Sequence, residues 1–188
     1  MAKKVNLGSK LALYPTPVTV IGADVNGKVN WMELSHIGIV SHDRVLVSMA
    51  KPHYTTPALG IGKRFSLNLV SPGMLEKVDY VGSVDGDKED KSEVFEYHRG
   101  DGGTPVIDEA PLTMELEIED IYECNGFNNF ICSIVNTYVD EDRLDENGKI
   151  DYNKMHTVLF EFPTYSYILS GDVIGKCRKM HDNWSKKD

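Results

Sequence analysis

The sequence is short of the features that identify several protein classes. It has three cysteines, Cys124, Cys132 and Cys177, and no C-x-x-C pair. An odd, scattered set argues against a disulfide framework or a structural zinc site and points to reduced thiols in a cytoplasmic protein. A surplus of basic charge is also missing. The net charge is −9, so no excess of cations is at hand to displace counterions from a nucleic acid. A local cluster of donors can still take an anion in such a chain. No stretch nears the roughly 20 apolar residues of a membrane span. The first residues, Met-Ala-Lys-Lys-Val-Asn, carry charge but no apolar run, so no secretory signal is expected.

Chemical motifs are scarce too. The six histidines show neither H-x-x-x-H nor H-E-x-x-H spacing, so no metal site is expected. There is no G-x-S-x-G, no Walker loop and no G-x-G-x-x-G. Without that last fingerprint, a nicotinamide would bind transiently and outside a Rossmann domain. The acidic stretch from Asp140 to Gly148 fails as a calcium loop in both registers. Counting from Asp140 puts Leu144 and Asp145 at positions five and six; counting from Asp145 puts Lys149 and Ile150 there.

What the chain does have is turns and short strands. Its 188 residues suit one domain, taken as residues 1–188. Asn-Gly, the strongest signal for a tight hairpin, occurs at Asn26-Gly27, Asn125-Gly126 and Asn147-Gly148. The first separates strand candidates 18–25 and 28–31. The second follows residues 112–119, where Leu112, Met114, Leu116 and Ile118 alternate with Thr113, Glu115, Glu117 and Glu119. That pattern predicts a strand with one buried and one wet face. Residues 45–49, 65–70, 130–135 and 158–162 are further strand candidates. Two short helices are expected, one over 55–61 with Pro57 in its first turn and one over 71–80 with Pro72. Many short strands with few helices predict an antiparallel barrel or sandwich.

Three segments could carry function. Residues 48–57 run from Ser48 through Lys51, His53, Thr55 and Thr56 to Pro57. They end a strand, offer two side chains that can be cationic, add hydroxyls and then start a helix, a combination suited to phosphate. A loop with a threonine cap and solvated basic side chains would look the same. Residues 30–35 could lay their backbone amides against the edge of a planar ligand, or could simply end a strand with Trp31 and Met32 in the core. Residues 79–91 form a polar stretch expected to be a loop after the second helix.

Taken in order, these segments resemble the flavin reductase-like, FMN-binding split-barrel family, and its flavoredoxin branch in particular. The resemblance runs from about Leu13 to about Lys176. It rests on Tyr14-Pro15-Thr16-Pro17-Val18, on Asn26 through Met32, and on Val47-Ser48-Met49 through His53-Tyr54-Thr55. Phe65 through Leu69, then Tyr80-Val81-Gly82 and Asp90-Lys91, complete it. It implies a mainly β, six-stranded antiparallel Greek-key split barrel with a few short helices, forming a homodimer with FMN (flavin mononucleotide) at the subunit interface. Asn30, Trp31 and Met32 would meet the isoalloxazine, largely through backbone. Ser48, Met49 and Ala50 would line the ring and ribityl chain. His53 and Thr55, with Lys51 and Thr56 beside them and Lys91 from the later loop, would hold the phosphate. Asn68 and Leu69 would brace the site, and Glu33 and Ser35 are candidates for contact with ring or substrate.

The implied activity is that of an NAD(P)H-dependent flavin reductase, in which hydride passes from nicotinamide to flavin N5 and then onward to a small-molecule or protein acceptor. No catalytic side chain is expected, because the cofactor carries the chemistry and the protein supplies position. The alternative is a flavoredoxin-type electron carrier that keeps its FMN and serves a protein partner. The chain departs from its relatives at three positions. His53 stands where arginine is frequent, and a neutral histidine grips phosphate less firmly. Val81 replaces a frequent cysteine, and Asp85 replaces a usual serine and brings an anion near the expected phosphate site.

Overall fold

The computed structural model describes residues 2–180. Twelve strands form among them: β1 Thr16–Pro17, β2 Thr19–Val25, β3 Lys28–Leu34, β4 Ile37–Ser41, β5 Arg44–Ala50, β6 Arg64–Leu69, β7 Tyr97–Arg99, β8 Pro105–Ile107, β9 Leu112–Cys124, β10 Phe127–Val139, β11 Val158–Glu161 and β12 Ser166–Leu169. The helices are α1, Leu75–Ser83, and α2, Tyr152–Met155. Every pairing between these strands is antiparallel. The class is the mainly β split barrel expected, with a seven-stranded principal sheet in place of six strands. Its order is β3-β2-β6-β9-β10-β5-β4, and β1-β11-β12 and β7-β8 form small sheets beside it.

Chain connectivity forces the sheet to curl. Strands β3 and β4 lie at opposite edges, yet only Ser35 and His36 separate them. A link that short spans at most about 11 Å, so the two edges must meet at this end. The His36 carbonyl fixes the corner by accepting from the Ser48 N–H at 2.9 Å. Two register shifts in the β9–β10 pair, between Ile131 and Cys132 and between Ile134 and Asn136, bend the longest strands around the curve.

The turns behave as the Asn-Gly pairs dictate. Asn26 and Gly27 have φ of 51° and 83°, and Asn125 and Gly126 have 46° and 83°. These left-handed values suit the type I′ hairpin, which matches strand twist. The third pair sits in a small loop closed by an isolated bridge between Leu144 and Ile150.

Two apolar clusters lie on the two sides of the sheet. Ile21, Met32, Val47, Met49, Phe65, Leu67, Leu116 and Phe130 fill the barrel. Val20, Trp31, Val78, Val81, Phe95 and Ile107 pack outside it, under α1 and the loop after it. Strands β2 and β3 are therefore buried on both faces, and neighbours such as Trp31 and Met32 point opposite ways. The predicted wet face of β9 holds at Glu117 and Glu119 and is corrected at its other end. Thr113 and Glu115 are 1% and 0% exposed. Gly102 and Thr104, in the loop leading to β8, fold over that face and donate to the Glu115 carboxylate.

Candidate functional site

The chain after β5 turns sharply. The Ala50 carbonyl accepts from the His53 N–H at 3.2 Å, and the His53 carbonyl accepts from the Thr56 N–H at 3.0 Å. The Thr56 hydroxyl donates back to Ala50 at 2.9 Å. Thr55 accepts from the Asn30 side-chain amide at 2.8 Å, which ties the turn to β3. Between these bonds the N–H groups of Tyr54 and Thr55 have no acceptor among the described residues. Two adjacent N–H groups without acceptors are the kind of backbone that can take an anion, although Thr55 itself is only 1% exposed. The helix expected over 55–61 is instead a three-residue 3-10 turn, Thr56–Ala58. One such turn sums few peptide dipoles, so attraction for an anion rests on the individual N–H groups.

The register of β3 decides which backbone atoms are free. Val25 pairs with Lys28 across the two-residue turn, and pairing then alternates along the strand. Lys28, Asn30, Met32 and Leu34 bond to β2, while Val29, Trp31 and Glu33 present N–H and C=O to the open edge. Edge contact by backbone is thus available at Trp31 and Glu33, and the backbones of Asn30 and Met32 are already committed.

A groove runs along this side of the barrel. One hollow of about 620 Å³ is lined by Asn26, Pro52, His53, Tyr54, Asp85 and Asp87. A second, of about 420 Å³, is lined by Glu33, Ser35, His36, His53, Asp79 and Tyr167 among others. His53 is exposed and belongs to both hollows, so it stands where they join. The far wall is aromatic: Tyr14, Phe160, Phe162, Tyr165 and Tyr167. Tyr14 stacks on Phe162 with centroids 6.3 Å apart, and Phe162 meets Tyr165 at 4.8 Å. Pockets of a few hundred cubic ångströms with an apolar wall and few polar groups are the usual form of a cofactor site.

Glu33 holds the most unusual charge in the groove. The Tyr167 hydroxyl lies 3.0 Å from Glu33 and 3.0 Å from Asp79. Burial pushes the Glu33 carboxyl up, the Tyr167 bond pulls it down, and nearby Asp79 pushes it up again, to about 6. The Tyr167 hydroxyl is raised as well, first by burial and then by the Glu33 charge. Helix α1 comes this close because residue 82 is glycine; a Cβ there would sit 2.0 Å from Glu33 Oε2.

Several expected contacts are engaged elsewhere. Trp31 is fully buried on the outer face, edge-on to Phe95 and Tyr97. Met32 and Met49 fill the barrel. Lys51 pairs with Glu123 across the sheet. Asn68 is fully buried; its amide donates to Val20 and Ser66, and its oxygen accepts from Ile107 and Thr113. Leu69 is half-buried on β6, opposite Thr19. Lys91 is 4% exposed and caps α1, donating to the carbonyls of Val81 and Val84. Residues 79–83 are helical, not loop. Asp85 does reach the groove beside His53, and Lys88 holds it at 2.6 Å. Ser48 and Ser35 share an adjoining apolar hollow with Leu46 and Phe127. The aromatic wall and Asp79 went unassigned in the sequence, although four aromatics between Phe160 and Tyr167 were a visible signal.

Comparison with known proteins identifies the family to which this fold belongs. The family model described as "Flavin reductase like domain" matches residues 11–160. A flavoredoxin from Methanosarcina acetivorans is 34% identical, with a TM-score of 0.89 over 97% of this chain and 99% of its own. The flavoredoxin of Desulfovibrio vulgaris (Miyazaki F) is 27% identical, with a TM-score of 0.87 over 95% and 100%. An FMN-binding protein from Thermus thermophilus shares the fold at 22% identity, with a TM-score of 0.78 over 94% and 100%. No curated protein matches the chain significantly. A family match across most of the chain, joined to a barrel closed by a two-residue corner beside an aromatic groove, places this protein in the flavin reductase-like split-barrel family, within its flavoredoxin branch.

Proposed function

We propose that this chain binds FMN in the groove and works as an oxidoreductase that accepts hydride from NADH or NADPH. The observation that carries the reading is the turn at His53 and Tyr54, whose Tyr54 N–H has no acceptor among the described residues, at one end of a groove whose other end is an aromatic-walled hollow. The residues present suit the group. The Tyr54 amide and the His53 side chain can hold a phosphate, with Lys88 balancing Asp85 nearby. The open backbone edge at Trp31 and Glu33 can meet the polar rim of a flat ring, and the rings around Phe160 and Phe162 keep water away. When bound, the flavin supplies a two-electron acceptor in its ring system. The chain's own part is to hold the phosphate, orient the ring by backbone contact and dry one side of it. The flavoredoxin and FMN-binding relatives support the flavin.

A second reading, an electron carrier with FMN and a protein partner, draws on the 34% identity to a flavoredoxin. A homodimer belongs to either reading. Ile39, on the edge strand β4, is 89% exposed, and an apolar hollow at Leu11, Leu13, Ile37 and Phe127 offers a second copy a surface. The setting is the cytoplasm, where free thiols such as Cys124 and Cys177 persist. Titration of the full chain with FMN, followed by quenching of flavin fluorescence, tests the core of the proposal; no saturable quenching would sink it. With FMN bound, NADH- or NADPH-driven loss of absorbance at about 340 nm, the reduced-nicotinamide band, supports the reductase, and inertness to both supports the carrier.

A further inference from the structure

The contact of Tyr167 with two carboxylates poses a problem of hydrogen count. A phenol has one hydrogen to donate, yet its oxygen is 3.0 Å from both Glu33 and Asp79. If both carboxylates are ionised, one of the two contacts sets oxygen lone pairs against each other. A single added proton removes the conflict, because a protonated carboxyl donates to the phenol oxygen while the phenol donates to the other carboxylate. Asp79 is exposed and Glu33 half-buried, so the proton belongs on Glu33, where charge is the more costly. We propose that Glu33, with Tyr167 and Asp79, is a proton-uptake site that binds one proton from solvent when two electrons enter the flavin.

The surroundings make the site responsive to charge. Asp79 faces Glu33 from α1, Tyr167 from β12, and His36 and His53 stand on the rim of the same hollow. No lysine or arginine lines that hollow among the described residues. Gly82 lets the helix lie flat on the carboxylate and cover one side of it. Hydride carries two electrons and one proton, so its arrival leaves the groove one negative charge richer. One proton taken from water onto the Glu33 carboxylate, forming its O–H bond, restores the balance. A carboxyl with a midpoint near 6 is mostly ionised just above neutrality, and an added negative charge close by raises its proton affinity.

This inference rests on the FMN reading, and the experiment separates the two. The full chain is labelled with 13C at glutamate carboxyls, and the carboxyl shifts are followed against pH in three states: without flavin, with oxidised FMN and with FMN reduced by dithionite. Without flavin, one resonance should titrate near 6 and vanish in Glu33→Gln. Asp79→Asn should lower its midpoint by removing a like charge, and Tyr167→Phe should raise it by removing the donor. Reduction of bound FMN should raise proton affinity at Glu33 about tenfold, one pH unit. An ordinary carboxylate midpoint in the flavin-free protein overturns the site. A midpoint near 6 that is the same in oxidised and reduced forms overturns the uptake role. Failure to bind FMN, shown by unquenched flavin fluorescence, overturns both the groove reading and the uptake role, even if the resonance near 6 survives.

Discussion

Two glutamates of one barrel are held at opposite ends of the carboxylate scale. Glu115 on β9 is fully buried, and Glu33 on β3 is only half-buried. Burial is the largest upward push on both. The Glu115 carboxylate accepts from Gly102 and Thr104 N–H, the Thr104 hydroxyl, the Asn136 amide and the Tyr138 hydroxyl. Burial pushes Glu115 up, and those bonds, led by Asn136, outweigh it and bring it down to about 2. Glu33 has one donor, shared with a second carboxylate, and stays at about 6. The number of donors aimed at a carboxylate, more than its depth, sets its charge. A satisfied group serves as structure, while a half-satisfied one remains free to change state.

The sharpest way to break this comparison is Glu115→Gln. A glutamine turns an N–H2 toward donors that need an acceptor, and we expect a loss of about 3 kcal/mol in urea unfolding near pH 7. A loss below about 1 kcal/mol would contradict a structural role for those bonds. The contribution should be full above the ordinary glutamate value of 4.5 and fade as pH falls toward about 2. The folded fraction of that variant should still bind FMN. His53→Ala should do the reverse. FMN affinity should fall about tenfold, near 1.4 kcal/mol, with little change in stability. Unchanged affinity by fluorescence titration would remove His53 from the phosphate end. Smallest is Glu33→Gln. The raised value of Glu33 means its stabilising share is full below 4.5 and is lost as pH rises through about 6. The neutral variant should therefore unfold later than the parent at pH 8, by roughly 1 kcal/mol after allowance for partial wetting, and equally at pH 4. A gain that is the same at both pH values would deny the charge any part in it.

Local signals carried much of the fold. The two Asn-Gly hairpins and the strands beside them follow from residues that demand positive φ and from alternation. Features set by distant chain did not show. Thr113 and Glu115 look wet by pattern, because the covering loop precedes them and nothing in β9 announces it. Lys91 looks like a free cation, yet its carbonyl partners exist only once α1 has ended at Ser83. In the site, the turn around His53 and Thr55 was legible from its hydroxyl and imidazole side chains. The free amides were not, since they depend on which carbonyls the turn uses up. The opposite facing of Trp31 and Met32 follows from strand period, but which backbone atoms stay open needed the pairing partner.

The link of Ser35 and His36 bears on how the molecule assembles. Strands β3 and β4 each pair at once with a neighbour in sequence, β2 and β5, but the two hairpins join one sheet only when β6, β9 and β10 lie between them. Such topology makes folding wait on distant encounters. A circular permutant opened between residues 35 and 36 would keep every strand pairing while releasing that constraint. It should reach its seven-stranded sheet faster than the parent in stopped-flow refolding, and an equal rate would show that the corner forms early.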